Sequence, residues 1–291
     1  MRDVMKKNLF IFLSIMFGLT SCGDDDKTEV IPLNKLTKIT CTKNNASSPE
    51  FVLSVTYNQA GEVANIAWDN QFTDIFSFSN NQLVVNRFTS VTASASLYQK
   101  YEYGLSGGGI VSCSEYQNNP YRNNEEYLSN LYNYTYSKNN MMSSPWVKAV
   151  WPKTDGSGYE SRNDMETNYY TWEDNNLTYY KNGTKEMAFT YKSDLHPENF
   201  PLRIVNTFSP TGQASVSPLN FYFGNLNRNL IETATWYVLP DVNTPYAKYT
   251  FSYNTTGEYI TGMTIAEEIY PVNGTSAENN QYTYTLEYSY K

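Results

Sequence analysis

The C-terminal stretch of the chain alternates without a break. Tyr282, Tyr284, Leu286, Tyr288 and Tyr290 take every second position, and Thr283, Thr285, Glu287 and Ser289 fill the gaps. A period of two puts all the large rings on one face of a strand and all the polar groups on the other. The sheet this predicts is dry on one side and wet on the other, which is an antiparallel arrangement rather than a parallel one covered on both sides.

The same pattern recurs upstream as a hairpin unit of two alternating aromatics, a polar turn and a closing apolar residue. The unit occurs at Phe76-Ser-Phe-Ser-Asn-Asn-Gln-Leu83, Tyr134-Thr-Tyr-Ser-Lys-Asn-Asn-Met141 and Tyr170-Thr-Trp-Glu-Asp-Asn-Asn-Leu177. A second version ends on glycine, at Val55 to Glu62 and Phe251 to Glu258, where Asn opens the turn and Gly takes its left-handed position. Lys181-Asn182-Gly183-Thr184 adds a two-residue turn that predicts Tyr180 opposite Lys185 and Thr178 opposite Met187. The copies are irregularly spaced, unlike a propeller or solenoid. Asn124 to Leu131 has an acidic start suited to a helix, but Leu128, Tyr132, Tyr134 and Tyr136 continue the alternation, so a strand is expected.

Composition supports this reading. Aromatic residues make up 16% of the 291 residues and 27 of them are Tyr, whereas only 17% are charged. The chain is too aromatic for disorder and too poor in Ala and Leu for a helical bundle, so the core must be built partly from Tyr. A net charge of −8 argues against a nucleic-acid partner. One His and three Cys offer little for a metal or redox cofactor, and none is expected.

Residues 1–21 read as an export signal. Arg2, Lys6 and Lys7 precede a short apolar run from Leu9 to Leu19, too short to span a bilayer. Leu19-Thr20-Ser21-Cys22 resembles the bacterial lipobox, which makes Cys22 the expected lipidated N-terminus. Gly23-Asp24-Asp25-Asp26 is similar to the acidic stretch behind the lipidated Cys of Bacteroidetes lipoproteins sent to the cell surface. Cleavage leaves 18 basic against 28 acidic residues. Residues 22–35 then form a lipidated tether, and residues 36–291 a single all-β domain. Of the other cysteines, Cys41 and Cys113 both sit in strand-like sequence. An oxidising compartment permits a disulfide between them, two buried thiols fit equally well, and spacing does not decide.

The lipobox, the segment 170–177, the Tyr-Asn-x-x-Gly-Glu turns and Gly224-Asn-Leu-Asn-Arg-Asn-Leu-Ile231 together resemble a family of Bacteroidetes surface lipoproteins of unassigned function. That resemblance implies a porin-like fold, an extended antiparallel β meander curling into a half-barrel or sandwich, and no activity. A true membrane barrel is disfavoured. It needs a lipid-facing apolar band with aromatics confined to the rims, whereas Tyr here runs through strand centres.

Catalytic signatures are weak. Gly104-Leu-Ser-Gly-Gly108 matches a nucleophile-elbow pattern but lies between two strand-like runs, as a hairpin tip would. His196, before Pro197 and between Asp194 and Glu198, reads as a surface loop. Neighbouring acids such as Glu125 with Glu126, Asp164 with Glu166, Glu173 with Asp174 and Glu267 with Glu268 leave a carboxylate-dependent glycoside hydrolase in play, since only spatial separation defines that mechanism. The more specific feature is Pro145-Trp146-Val-Lys-Ala-Val-Trp151-Pro152. Trp146 and Trp151 differ in parity, so they project from opposite faces, and a polar stretch from Lys153 to Thr167, containing Tyr159, follows. An exposed ring there suits stacking on a sugar. Trp146, Trp151 and Tyr159 are the candidate ligand contacts, against the alternative that the Trp rings pack within the sheet stack. The expected role is a non-catalytic surface binding protein for glycan, lipid-anchored in the outer membrane and facing outward. The alternatives are a structural or protein-interaction component of an envelope complex, and the hydrolase.

Overall fold

The computed structural model describes residues 35–69, 71–89, 97–107, 109–136, 142–162, 169–183, 185–203, 211, 216–238, 241–271 and 276–289. Seventeen strands form one antiparallel sheet. They are β1 (Lys35–Lys43), β2 (Phe51–Tyr57), β3 (Val63–Trp68), β4 (Phe72–Ser79), β5 (Gln82–Thr89), β6 (Leu97–Ser106), β7 (Gly109–Asn119), β8 (Glu125–Tyr136) and β9 (Met142–Pro152). They continue as β10 (Tyr159–Arg162), β11 (Tyr169–Glu173), β12 (Asn176–Asn182), β13 (Lys185–Leu195), β14 (Asn229–Val238), β15 (Asp241–Thr256), β16 (Tyr259–Ile269) and β17 (Glu278–Ser289). Among the described residues there is no α-helix, and the segment at 124–131 is strand, as the alternation predicts.

From β2 to β10 each strand pairs with its successor, and so it does from β11 to β17. The two runs are joined where β1 pairs with both β2 and β17. The first strand is thus the central seam, and β11 returns alongside β9 to wrap the sheet around an interior. The apolar cluster lies inside, with Tyr282, Tyr284 and Leu286 of β17 buried and Thr285 and Glu287 between and after them exposed. Outward positions are mostly polar, with Ile75, Tyr98 and Tyr169 among the exposed exceptions; on β15 the buried Tyr249 and Phe251 alternate with exposed Lys248, Thr250 and Ser252. This is the reverse of a membrane barrel, whose apolar band faces lipid.

Turn chemistry fixes the hairpins. Asp174 and Asn175 both adopt positive φ, the geometry of a two-residue turn that matches strand twist, with Glu173 opposite Asn176. Gly61 takes φ +84° at the end of the β2–β3 loop, where the Asn58 carbonyl accepts from its N–H at 2.9 Å. The β12–β13 turn departs from expectation by one residue. Tyr180 faces Met187 and Lys181 faces Glu186, not Lys185 and Thr184. A slip in the expected direction would set buried Tyr180 against a lysine, so the pairing of two inward residues selects the observed register.

Because neighbours run antiparallel, the C-terminal ends of β2, β8, β13, β15 and β17 share one rim with the start of β1. At that near rim the chain enters at Lys35. The 33 residues between β13 and β14 also leave from it and return to it, and their described part folds inward. Phe200, Leu202 and Val216 are fully buried. The ring of Phe200 meets Tyr253, and Phe223 meets both Tyr103 and Tyr134 edge-on. A short 3-10 helix, Pro218–Tyr222, lies within this plug and is capped by the Ser217 hydroxyl. His196, expected on the surface, is instead half-buried against Phe200 because the plug begins there.

Candidate functional site

The described part of the plug leaves a cavity of about 280 Å³ beside it. Its floor includes Arg203, Leu219 and Phe223 from the plug, and Tyr103 and Tyr134 rise from the sheet. Trp68, Asp74, Arg87 and Tyr101 line the side toward the far rim. These four sit in the far halves of β3, β4, β5 and β6. Asp74 and Arg87 are directly opposite in the β4–β5 register, so both project inward.

Asp74 is buried, and Arg87 holds it through two contacts, Nε to Oδ1 at 2.7 Å and Nη2 to Oδ2 at 2.9 Å. The indole N–H of Trp68 also donates to Oδ2 at 2.7 Å. Burial alone would pull the Arg87 guanidinium down, but the hydrogen bond and charge of Asp74 outweigh it and hold Arg87 firmly protonated. Arg87 also lies 5.5 Å from the centroid of Trp68 and 5.6 Å from that of Tyr101. This paired, bidentate arrangement makes the wall rigid and electrically balanced.

Next to it around the sheet, on β6 to β8, is a second polar group. Glu115 accepts from Gln99, Gln117 and Asn130 at 2.7, 3.0 and 3.0 Å, and Tyr101 donates to Gln99 at 2.8 Å. A buried carboxylate fed by three amide donors is a structural group, with its acceptor capacity largely spent.

Arg203 is different. It is buried on the cavity floor, and its Nη2 donates to the carbonyls of Gly224 and Asn225 at 3.0 and 2.8 Å. Its Nε and Nη1 meet no partner among the described residues. Burial lowers its pKa to about 10, with only the phenols of Tyr136 and Tyr170 pulling the other way.

The residues expected from sequence are only partly brought together. Cys22 and the signal lie outside the described residues. Trp146 is opposite Asn133 in the β8–β9 register, and its side chain lies outside the described set. Trp151 is 40% exposed and donates to Glu160 at 3.1 Å. Tyr159 pairs with Pro152 and Trp151 with Glu160, so the two rings leave the β9–β10 hairpin on opposite faces. Tyr159 stacks on Tyr127 at 5.2 Å, and its hydroxyl accepts from Asn119 at 3.2 Å. The rings of Trp151 and Tyr159 therefore do not share one patch.

Cys41 and Cys113 are free, buried thiols on β1 and β7, and not a disulfide; each packs beside an inward Tyr of a neighbouring strand, Tyr284 and Tyr103. Burial pushes them up to about 11 and about 12. The Gly104-x-Ser-x-Gly pattern is a hairpin tip between β6 and β7. Of the acid pairs, Glu125 is bonded to Arg122 and Glu126 to Lys100, while Glu267 is buried and Glu268 exposed on opposite faces of β16. Asp164 and Glu166 lie outside the described residues. Among the described residues the cavity is lined by one carboxylate, Asp74.

The chain belongs to the family described as Domain of unknown function (DUF5032), which matches residues 23–291. It is similar to a porin-like protein from Bacteroides uniformis, at 14% identity and a TM-score of 0.55 over 87% of this chain and 98% of that one. A porin-like protein from Bacteroides vulgatus matches at 11% identity and a TM-score of 0.48, over 88% and 99% of the two chains. The first likeness is one of fold. No curated protein matches the chain.

Proposed function

We propose that this protein is a non-catalytic, glycan-binding lipoprotein of the outer membrane, lipidated at Cys22 and facing the cell exterior, with its ligand held in the cavity beside the plug. The observation that carries the reading is the cavity: a preformed, aromatic-walled space with fixed polar groups and a single, already neutralised carboxylate. Its volume corresponds to roughly nine water volumes at about 30 Å³ each, enough for a sugar ring. Aromatic walls supply apolar area for a ring face, and a rigid wall costs little to organise on binding. A glycosidase needs two facing acids, and the wall offers one.

The test is titration of the mature protein with a panel of oligosaccharides while following Trp fluorescence, because Trp68 lines the cavity. Saturable quenching by one class is expected, and silence across the panel would overturn the reading. Metabolic labelling with a fatty-acid analogue should mark the wild type and not Cys22→Ala.

A further inference from the structure

We infer that the ligand of this cavity carries one negative charge, a carboxylate on a compact ring, which Arg203 meets at the cavity floor; within the glycan reading above, on which this rests, the ligand is an acidic sugar.

Charge balance carries the inference. Asp74 and Arg87 neutralise one another across a bidentate contact. Arg203 has no such partner. The residue is only 4% exposed, two carbonyls use Nη2, and Nε and Nη1 remain unbonded among the described residues. The plug sequence around it offers no counter-charge, for residues 199–227 contain no Asp or Glu. Isolated buried charge is costly, and proteins ordinarily pair it or bind an ion to it. Among the groups that line the cavity, Arg203 is the uncompensated one, and one positive charge matches one negative charge.

The remaining lining selects the body of the ligand. Tyr103, Tyr134 and Phe223 surround the floor with rings, while Ser217 and Asn220 lie beside Arg203. A carboxylate accepts from guanidinium N–H groups with good geometry, and ring faces cover the rest of a compact molecule. Nε and Nη1 are closed off from solvent, so the anion engages the Arg203 charge first and these donors once neighbouring side chains give way. A larger polyanion would bring further negative charges that the cavity lining has no second unpaired cation to meet, which disfavours it.

The experiment compares glucuronate with glucose, which share a ring and differ in the carboxylate, and adds benzoate as a ring carboxylate without sugar hydroxyls. Full-length mature protein is titrated by calorimetry. Wild type should bind glucuronate at least about tenfold more tightly than glucose. Arg203→Met should erase that preference, and Arg203→Lys should keep part of it. Arg203→Met removes an unpaired buried charge, so its fold should persist, with the melting temperature as the check. If it does not fold, the wild-type preference and the Arg203→Lys variant decide. Equal affinity for the two sugars, or a preference that survives Arg203→Met, overturns the inference and leaves the glycan reading standing. Benzoate binding that depends on Arg203, with no sugar bound, supports the anion site and removes the glycan reading. No binding by any of the three removes both.

Discussion

The hydroxyl of Tyr253 donates to the backbone carbonyl of Ile231 on the neighbouring strand at 2.8 Å. The same reach back by one strand recurs from Tyr57 to Leu36 at 2.7 Å, Tyr191 to Leu177 at 2.6 Å, Tyr288 to Ile260 at 2.9 Å, and Tyr136 to Ile110. All five lie at the near rim, where strands begin and ladder pairing runs out. Each phenol gives a rim carbonyl a partner while its ring fills the interior. This accounts for Tyr in place of Phe at those positions.

Tyr253→Phe should therefore cost about 1 to 2 kcal/mol, the penalty for a largely buried carbonyl that loses its donor. Tyr288→Phe should cost a similar amount. The two act on different strand pairs, so the double variant should show the sum to within a few tenths of a kcal/mol. Urea denaturation of the four proteins checks this. No loss in either single variant would mean the rim carbonyls are satisfied by water.

The Asp74 and Arg87 pair predicts a sharper effect. Asp74→Ala leaves a mostly buried guanidinium facing Trp68 and Tyr101, at a cost of about 3 kcal/mol or more. Replacing both, as Asp74→Leu with Arg87→Met, should recover most of that loss, because an apolar pair of similar volume avoids desolvating two charges. A double-mutant cycle by thermal or chemical denaturation measures the coupling.

His196 predicts a pH dependence. Burial first of all lowers its pKa from 6.5 to about 4, so the folded protein keeps the ring neutral where the unfolded chain would take up a proton. Its contribution is present above pH 6.5 and is lost as the pH falls toward 4. The loss is about 3 kcal/mol at most. His196→Phe should flatten the difference in stability between pH 7 and pH 4 relative to wild type. Equal slopes for the two proteins would show that the ring titrates normally.

Cys41 and Cys113 should be silent to thiol reagents in the folded state. With pKa values pushed up to about 11 and about 12 by burial, almost no thiolate exists at pH 8, and access is blocked besides. Two thiols should react with Ellman's reagent only after denaturation, and reduction should leave the mobility of the mature protein unchanged. A mobility shift on reduction would restore the disulfide.

Much of the sheet is legible because strands and turns are local. Alternation fixes which face of β17 is dry, and Asp174 with Asn175 announces its turn. Even the wall of the cavity is written there: centring the β4–β5 turn on Asn80 and Asn81 places Asp74 opposite Arg87. The plug is not legible in this way. Phe200, Leu202 and Val216 follow no period, because a segment that fills a barrel obeys the shape of its container rather than a strand or helix repeat. The usable signal was length, since 33 residues between two strands is too long for an idle connection. Arg203 was missed with it. Its importance lies in the lack of a partner, a property that only the assembled interior defines.

Trp151 separates the cavity from the hairpin as the place where ligand binds. Its ring is partly exposed and bonded to Glu160, and it shares no face with Tyr159, so it has the look of a sugar platform without a second ring to complete one. Trp151→Ala should change stability by no more than about 0.5 kcal/mol, as for a surface position. It should also change oligosaccharide affinity by less than about twofold, which is under 0.5 kcal/mol. Leu219→Trp, which narrows the cavity floor, should instead abolish binding while the sheet remains folded by circular dichroism. The opposite result, with Trp151→Ala weakening binding about tenfold and the floor variant binding normally, would move the site to the far-rim hairpin and leave the cavity as packing.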